Sequence, residues 1–529
     1  MRVGHALRDG DVPARLGAEN LLRACLDSAD PEAAIGRLVE LTAARPAHYG
    51  LWRAFAEPSP MGLDMLRLTG ELLGASEPLS RGLIGFSPGR TSGPGSASGG
   101  QGAASVGPGR TPERTPPDRT LGLLERAAEP TLPDPASLAH DLQRQEPDPR
   151  GLDATLLHFK HEQLVRVGLH DLGRRPDPLA VGRSLSDVAD LVLRVLLRDL
   201  AAEAGQTAPF ELAVLALGKH GMMAMDYGSD LDLMFVFEPV RPETAHETMG
   251  AATRLAQRLM GRLESRSLGL RLYEVDMRLR PSGRQGLLVT SLGGFGQYHA
   301  RRVAVWERLA LLRLRPVAEV RVGEPGRVAP ALDAAPPGSP MAIALPGPLG
   351  TAVLGTVART LGWDRPDADD RPTPLEITTE TRRLKGRIEQ ELARESPKTG
   401  WYNAKTGAGG CLELELLVAA LQLVHGPAHP PARALGIVDA LTGLARAGCL
   451  PVEEAEALCA DYRFQRLLLN RLRMSPGRRS DDPDRFSESS PRLDTLARRM
   501  GLPSRAVLLE RFHRSRARVR AAFDRHLPP

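Results

Sequence analysis

Two aspartates two residues apart are the side chains of this sequence best suited to chemistry. Asp230 and Asp232 lie in the segment DLDLMFVF, whose apolar residues predict a buried strand. Residues i and i+2 of a strand project from the same face, so the sequence predicts that the two carboxylates lie side by side. They repel each other unless a cation binds them, and Mg²⁺, which prefers oxygen ligands and substrate phosphates, fits best. The spacing alone is weak support, since paired acids are common on solvated strand edges.

A third carboxylate and two guanidinium groups extend this pattern. Asp276 lies in the segment YEVDMRLR, which also predicts a strand, and Arg278 and Arg280 follow on the same face by the two-residue period. Three acids, all predicted to be metal ligands and catalytic residues, together with two arginines can bind a metal–nucleotide and stabilise charge at phosphorus. The alternative is a structural ion-pair cluster, in which the arginines pair with the acids instead of binding phosphate.

A glycine-containing turn leads from one predicted strand to the Asp230 strand. Leu217 and Gly218 end the first strand, and backbone N–H groups in such a turn can approach a phosphate. The predicted nucleotide-binding residues of this segment are Gly218, Lys219, Gly228 and Ser229. For Lys219 the alternative is a solvated surface lysine, and His220 is predicted to be a solvated loop histidine rather than a ligand.

The elements that must position these residues form a compact α/β unit. Dense apolar runs predict strands over Phe210–Leu217, Asp230–Phe237 and Gly269–Leu279, with a helix around Ala252–Leu263. Most of the remaining chain has helical periodicity. The predicted fold class is therefore mainly α with one α/β domain, which has a small mixed sheet and is flanked by helical segments and a C-terminal helical bundle.

Composition shifts divide the chain into six predicted segments. A stretch of Gly, Pro and Ser with little to bury predicts a disordered linker, and Leu412–Val424, apolar nearly all round, predicts the centre of the C-terminal bundle. The predicted segments are an N-terminal helical segment at 1–86, the linker at 87–133, a helical lead-in at 134–209, the α/β domain at 210–322, a Pro/Gly-rich connection at 323–374 and the C-terminal bundle at 375–529.

Composition also excludes several classes of protein. The formal net charge of +5 is small for 529 residues and gives no case for a nucleic-acid binder. The four cysteines are far apart without a CxxC pair, which disfavours a disulfide scaffold and favours a reducing compartment. We find neither the apolar core of a signal peptide nor an apolar run near the roughly 20 residues that span a bilayer. The sequence predicts a soluble, cytoplasmic protein with no membrane partner.

Longer motifs around these residues resemble one known family. The segments LGK, GSDLD, YEVDMRLRPSGRQGLLVTS and WERLALLRLRPVA look like the nucleotidyltransferase domain of bacterial glutamine synthetase adenylyltransferase/adenylyl-removing enzyme, a member of the polymerase β-like superfamily. KTGAGGCLELELL, from Lys405, resembles its Gly-Gly-acidic motif. Family members usually carry two catalytic halves, one removing AMP from glutamine synthetase and one attaching it. Only one is present here, and its order of segments resembles the second, adenylylating half.

The resemblance implies an activity and its alternatives. It implies Mg²⁺-dependent transfer of AMP from ATP to a tyrosine of glutamine synthetase, with a PII-type signal protein as a possible partner and a role in nitrogen metabolism. The alternatives are phosphorolytic removal of AMP by the same acids, and a non-catalytic module that binds glutamine synthetase or a PII-type protein. Glu413 and Glu415, in an apolar run, are expected to pair internally or to recognise a partner.

The turn departs from the family pattern at three positions. Met222 replaces a glycine, Ala224 a glutamate, and Asp226 stands where Gly or Asn is usual. A side chain at 222 is expected to narrow the approach to the triphosphate, and Asp226 is expected to add negative charge near it.

Overall fold

The structure is a computed structural model of the chain. It describes residues 12–43, 54–56, 60–76, 79–80, 131–173, 176–204, 208–267, 270–281, 283, 286–301, 303–323, 347–365, 371–474 and 482–529. The chain divides into two compact units, Met1–Pro130 and Thr131–Pro529. The predicted linker at 87–133 lies outside the described residues except at positions 131–133.

The first unit contains helices packed through small and aliphatic residues. Its described helices are α1 Val12–Leu26, α2 Pro31–Ala43 and α3 Pro60–Ala75. Leu21, Leu38 and Leu72 are fully buried. A Cβ on Gly70 would lie 2.6 Å from the backbone oxygen of Ala24, so α1 and α3 approach each other at backbone distance. These helices agree with the helical character predicted for this part of the chain.

The second unit is built on a mixed sheet. The strands of this sheet are β1 Phe210–Ala216, β2 Leu231–Pro239, β5 Val275–Asp276, β6 Val289–Ser291 and β7 Arg315–Val322. Their order is β5-β2-β1-β7, and β6 pairs with the distal part of β2. The first strand, β1, is antiparallel to β2 and β7, whereas β2 is parallel to β5 and β6. The apolar runs that predict β1 and β2 are buried almost throughout.

The third predicted strand, Gly269–Leu279, is wrong as a continuous strand. The structure has a short hairpin of β3 Arg266–Ser267 and β4 Leu270–Arg271, and then β5. The alternation of buried and exposed residues breaks between β4 and β5, because the consecutive residues Leu272 and Tyr273 are both buried. Arg278 and Arg280 consequently lie beyond the strand that carries Asp276.

Helices surround the sheet and form the C-terminal part. The helices of the second unit are α4 Pro135–Gln143, α5 Leu152–Gly173, α6 Pro178–Ala202, α7 Gly218–Gly221, α8 Ala245–Glu264, α9 Leu292–His299, α10 Val305–Leu311, α11 Pro348–Thr360, α12 Pro374–Ile388, α13 Cys411–His425, α14 Ile437–Arg446, α15 Val452–Met474, α16 Arg492–Arg499 and α17 Arg505–His526. A small second sheet pairs β8 Trp401–Asn403 with β9 Arg485–Ser487. The predicted fold class is confirmed.

One hydrophobic core joins the sheet to the bundle. It contains Leu215 and Met234 from the sheet, Val353 from α11, and Leu414 and Leu417 from α13. The helix α13 is buried on nearly all sides, as its apolar sequence predicts. The four cysteines are free thiols. In the ranges that the structure describes, no helix has the length and apolar character needed to cross a membrane.

Candidate nucleotide-transfer site

Three carboxylates lie together at one end of the sheet. Asp232 in β2 and Asp276 in β5 are register partners in a parallel ladder, and the N–H of Leu231 donates to the oxygen of Glu274 at 2.9 Å. Asp230 lies one position before β2 and is exposed, whereas Asp232 and Asp276 are half-buried. Burial and the neighbouring charges of Asp230 and Asp276 raise the pKa of Asp232 to about 6. The three acids are therefore close enough to repel one another.

Arg278 is hydrogen-bonded to one of these carboxylates, that of Asp276. Its Nε donates to Asp276 Oδ2 at 2.6 Å, and its backbone N–H donates to Asp276 Oδ1 at 2.8 Å. Arg280 donates to the backbone oxygens of Met277 at 3.0 Å and Gly286 at 3.3 Å. Both arginines line one open cleft with Asp230 and Asp276. Of the two alternatives for Arg278, the structure has the pairing with an acid.

The donor set suits a hard cation. Among the described residues, no group of three or more His, Cys, Asp or Glu side chains is placed so that it could hold a metal ion. Burial, and after it the negative charges of Asp230 and Asp276, nevertheless raise the pKa of Asp232, so the carboxylates carry surplus negative charge at this point. Oxygen donors with surplus negative charge are the ligands that Mg²⁺ prefers, so Asp230, Asp232 and Asp276 fit this ion chemically.

Gly218 makes direct contact with the carboxylate of Asp232. A Cβ on Gly218 would lie 2.2 Å from Asp232 Oδ2, and φ is +54° at this position. The N–H of Leu217 donates to the backbone oxygen of Asp232 at 2.9 Å, which ties the turn to the end of β2. Both the backbone conformation and the lack of space require glycine here.

Lys219 is neither free for phosphate nor solvated. Its ammonium group contacts Asp226, which is fully buried and also pairs with Arg466 at 2.6 Å and Arg473 at 3.0 Å. Burial alone would raise the pKa of Asp226, but the three cations outweigh it and the pKa is lowered. The expectation that Asp226 adds negative charge near the triphosphate is therefore wrong, because its charge is neutralised inside the protein.

His220 is also buried, so its prediction as a solvated histidine is wrong. Its Nε2 lies 2.7 Å from Asp190 Oδ1, and Arg315 Nη1 donates to Asp190 Oδ2 at 2.7 Å. Arg315 Nη2 further donates to the backbone oxygen of His220 at 3.2 Å. Burial lowers the pKa of His220 more than Asp190 raises it. This network holds the turn against α6 and β7.

The remaining residues of the turn have local roles. Ser229 Oγ accepts from the N–H of Asp226 at 2.9 Å, and Gly228 has φ +73° with open space around its Cα. Met222 and Ala224 are buried in the hydrophobic core. The Met222 side chain therefore does not narrow the approach to the turn, in contrast to the sequence expectation.

The bundle contributes residues that the sequence did not identify as part of the site. Arg466 and Arg473 lie in α15, more than 200 positions from Asp226 in the chain, and no local pattern indicates that they meet it. The internal pairing predicted for the glutamates is confirmed. Glu413 contacts Lys385 at 3.2 Å and Arg520 at 2.9 Å, and Glu415 accepts from Tyr462 Oη at 3.1 Å.

A small mixed sheet with acids on two adjacent strands beside a glycine turn defines a nucleotidyltransferase domain. Residues 118–324 match the family model of glutamate-ammonia ligase adenylyltransferase. This match confirms the resemblance of this part of the chain to that family. Residues 382–527 match the family model of GlnD PII-uridylyltransferase.

Individual relatives agree with the family match. The bifunctional glutamine synthetase adenylyltransferase/adenylyl-removing enzyme of Xanthobacter autotrophicus is 30% identical over 430 residues, which cover 78% of this chain and 39% of that enzyme. The enzyme of the same name from Nocardia farcinica is 33% identical over 298 residues, 56% of this chain and 25% of that enzyme. The chain thus spans well under half the length of these relatives.

Proposed function

We propose that this chain transfers AMP from ATP to a tyrosine hydroxyl of glutamine synthetase and releases pyrophosphate. The position of Asp230, Asp232 and Asp276 beside the Gly218 turn, in a domain of the adenylyltransferase family, is the observation that carries the proposal. The names of the relatives include both attachment and removal of the adenylyl group. The order of segments, which resembles the adenylylating half, favours attachment.

The three carboxylates would hold Mg²⁺, and the chain's own residues would do the remaining work. Bound Mg²⁺ neutralises the triphosphate and makes pyrophosphate a better leaving group. Gly218, Gly228 and Ser229 would contact phosphate at the turn, with Arg280 at the cleft. Arg278, predicted from the sequence to bind the nucleotide, pairs with Asp276 instead. Lys219 would act indirectly, by holding the turn through Asp226.

The nucleophile needs help to lose its proton. A tyrosine hydroxyl has a pKa of about 10, so it is protonated at neutral pH. In this proposal Asp276 accepts that proton while the tyrosine oxygen bonds to the α-phosphorus, and the bond from phosphorus to the bridging oxygen breaks. Arg278 holds the Asp276 carboxylate through two hydrogen bonds and so orients the base.

Transfer of label from α-labelled ATP to glutamine synthetase tests the proposal. Wild type should label the target, and Asp230→Asn and Asp276→Asn should each lower the rate by at least about 100-fold. Asp494→Asn, at an exposed position of α16, is the matched control and should behave as wild type. Label transfer that persists unchanged in both site variants would refute the assigned roles.

Two further arms separate the alternative functions. Release of AMP from adenylylated glutamine synthetase with inorganic phosphate, in the absence of forward transfer, would favour the removing activity. Absence of Mg²⁺–ATP binding in calorimetry would favour a non-catalytic module. The match of residues 382–527 supports a PII-type signal protein as partner of the bundle, and titration with such a protein tests this.

A further inference from the structure

Lysine is rare in this chain, and most of its lysines have structural partners. Only five of the 69 basic residues are lysines. Lys160 lies 4.0 Å from the centre of the Tyr273 ring, Lys219 contacts Asp226, and Lys385 is bound to Glu413 and to backbone oxygens. Lys398 is exposed. Lys405, in the loop before α13, is half-buried and forms no ion pair with any residue that the structure describes.

The loop that carries Lys405 is held in one conformation. Asn403 Oδ1 accepts from the N–H groups of Lys405 at 3.0 Å and Thr406 at 2.9 Å. Lys385 Nζ donates to the backbone oxygens of Thr406 and Gly407, both at 2.9 Å. A Cβ on Gly407 would lie 2.1 Å from Glu395 Oε1 and 2.6 Å from the backbone oxygen of Asn403, so only glycine fits at this point of the loop. These contacts hold the backbone of Lys405 in a fixed position.

A series of hydrogen bonds and ion pairs connects this loop to the Gly218 turn. The N–H of Ala404 donates to the backbone oxygen of Asp484 at 2.9 Å. The Asp484 carboxylate accepts two hydrogen bonds from Arg473, at 2.7 and 2.8 Å, and Arg473 also pairs with Asp226 in the turn. The Lys405 loop and the Gly218 turn are thus parts of one polar network.

The Lys405 ammonium lies within reach of charges at the site. Its positive charge acts on the carboxyl groups of Asp232 and Asp484 and on the Lys219 ammonium group. Asp484 is already satisfied by the bidentate Arg473.

We propose that Lys405 is a substrate-contacting residue of the site, supplied by the helical bundle, whose ammonium group binds the β- and γ-phosphates of a nucleoside triphosphate. The inference rests on the proposed function, and it adds a residue of the helical bundle to the nucleotide site. A lysine ammonium is a compact charge with three rotatable donors, which suits the oxygens of a polyphosphate.

Binding of Mg²⁺–ATP and Mg²⁺–AMP to the full chain tests Lys405 separately from transfer. Lys405→Met should weaken ATP binding at least 10-fold while changing AMP binding less than 3-fold, because AMP lacks the phosphates concerned. Lys405→Arg keeps the charge and should restore part of the ATP affinity. Lys398→Met is the matched control and should bind both nucleotides as wild type does.

The outcomes distinguish the two proposals. Equal ATP affinity in Lys405→Met and wild type would overturn the role of Lys405 and leave the proposed function intact. An equal loss of ATP and AMP affinity would also overturn it, since that pattern means a damaged loop. A wild-type chain that binds no Mg²⁺–ATP would overturn the proposed function and this inference together.

Discussion

The Asp232 carboxylate occupies the space that a side chain at residue 218 would need. Alanine at Gly218 would place Cβ 2.2 Å from Asp232 Oδ2 and would also strain the backbone at φ +54°. We therefore expect Gly218→Ala to displace the carboxylate and to lower kcat for the proposed adenylyl transfer about 100-fold, the cost typical of a 1 Å misplacement. Steady-state rates of label transfer, with circular dichroism to verify folding, measure this effect.

A second glycine separates backbone strain from the carboxylate contact. Gly448 has φ +70° and nothing within 4 Å of a built Cβ, so Gly448→Ala has comparable strain without a clash. It should lose stability but retain kcat. Similar losses of kcat in both variants would mean that general strain, rather than the position of Asp232, explains the effect.

At the scale of elements, α6 carries two acids, Asp187 and Asp190, whose negative charges repel each other. Burial first, and then the neighbouring Asp190, raise the pKa of Asp187 to about 7, although Arg315, Arg183 and Arg194 act in the opposite direction. The folded protein therefore holds this proton more tightly than the unfolded chain does, in which the pKa is about 4. The contribution of Asp187 to stability is present below that value and is lost as the pH rises to about 7.

The substitution Asp187→Asn should remove this loss of stability at high pH. We expect the variant to gain about 1–3 kcal/mol over wild type at pH 8 and little at pH 4, since one pKa unit corresponds to about 1.4 kcal/mol and a half-buried group realises part of it. Denaturant unfolding at pH 4, 6 and 8 measures the difference. Parallel curves, with the same difference at each pH, would contradict the assigned origin.

The same elements explain how far the sequence could predict the structure. Strands β1 and β2 follow from dense apolar runs, and α13 follows from an apolar helix that needs complete burial. The break between β4 and β5 does not follow from the sequence. Tyr273 is buried under Lys160, a residue of α5, and this contact interrupts the alternation of buried and exposed residues. Local patterns predict elements, but they do not contain such distant contacts.

The candidate site, like the fold, follows from the sequence only in part. The DxD spacing and Asp276 were recognisable because acids inside apolar strands are rare and costly. The environments of Lys219 and His220 do not follow from the local sequence. Lys219 contacts Asp226, which also pairs with arginines of α15, and His220 contacts Asp190 of α6. Whether a charged residue in a turn faces solvent depends on elements that pack over it, and these are specified elsewhere in the chain.

At the scale of the second unit, buried ion pairs connect the nucleotidyltransferase domain to the helical bundle. Arg466 of α15 pairs with Asp226 at 2.6 Å and donates to the backbone oxygen of Ala224 at 2.6 Å. Five residues further along α15, Arg471 pairs with Asp171 of α5 at 2.6 Å. The side chains of Arg466, Asp226, Arg471 and Asp171 are fully buried. The bundle and the domain should therefore unfold as one cooperative unit.

A double-mutant cycle on Asp226 and Arg466 tests this coupling. Asp226→Asn leaves Lys219, Arg466 and Arg473 without their shared anion, so it should cost about 3–5 kcal/mol of unfolding free energy. Arg466→Met should cost less, because two cations still neutralise Asp226. The double variant should lose less than the sum of the two, with a coupling of about 1–3 kcal/mol.

The solvent-accessible pair of the half-buried Arg382 and the exposed Asp524, 3.1 Å apart, is the matched control for that cycle. Its coupling should stay below about 1 kcal/mol, because water screens both charges. Unfolding is followed by intrinsic fluorescence and by far-ultraviolet circular dichroism, whose transitions should coincide in wild type. A coupling between Asp226 and Arg466 no larger than that between Arg382 and Asp524 would mean that the hydrophobic core alone joins the bundle to the Gly218 turn.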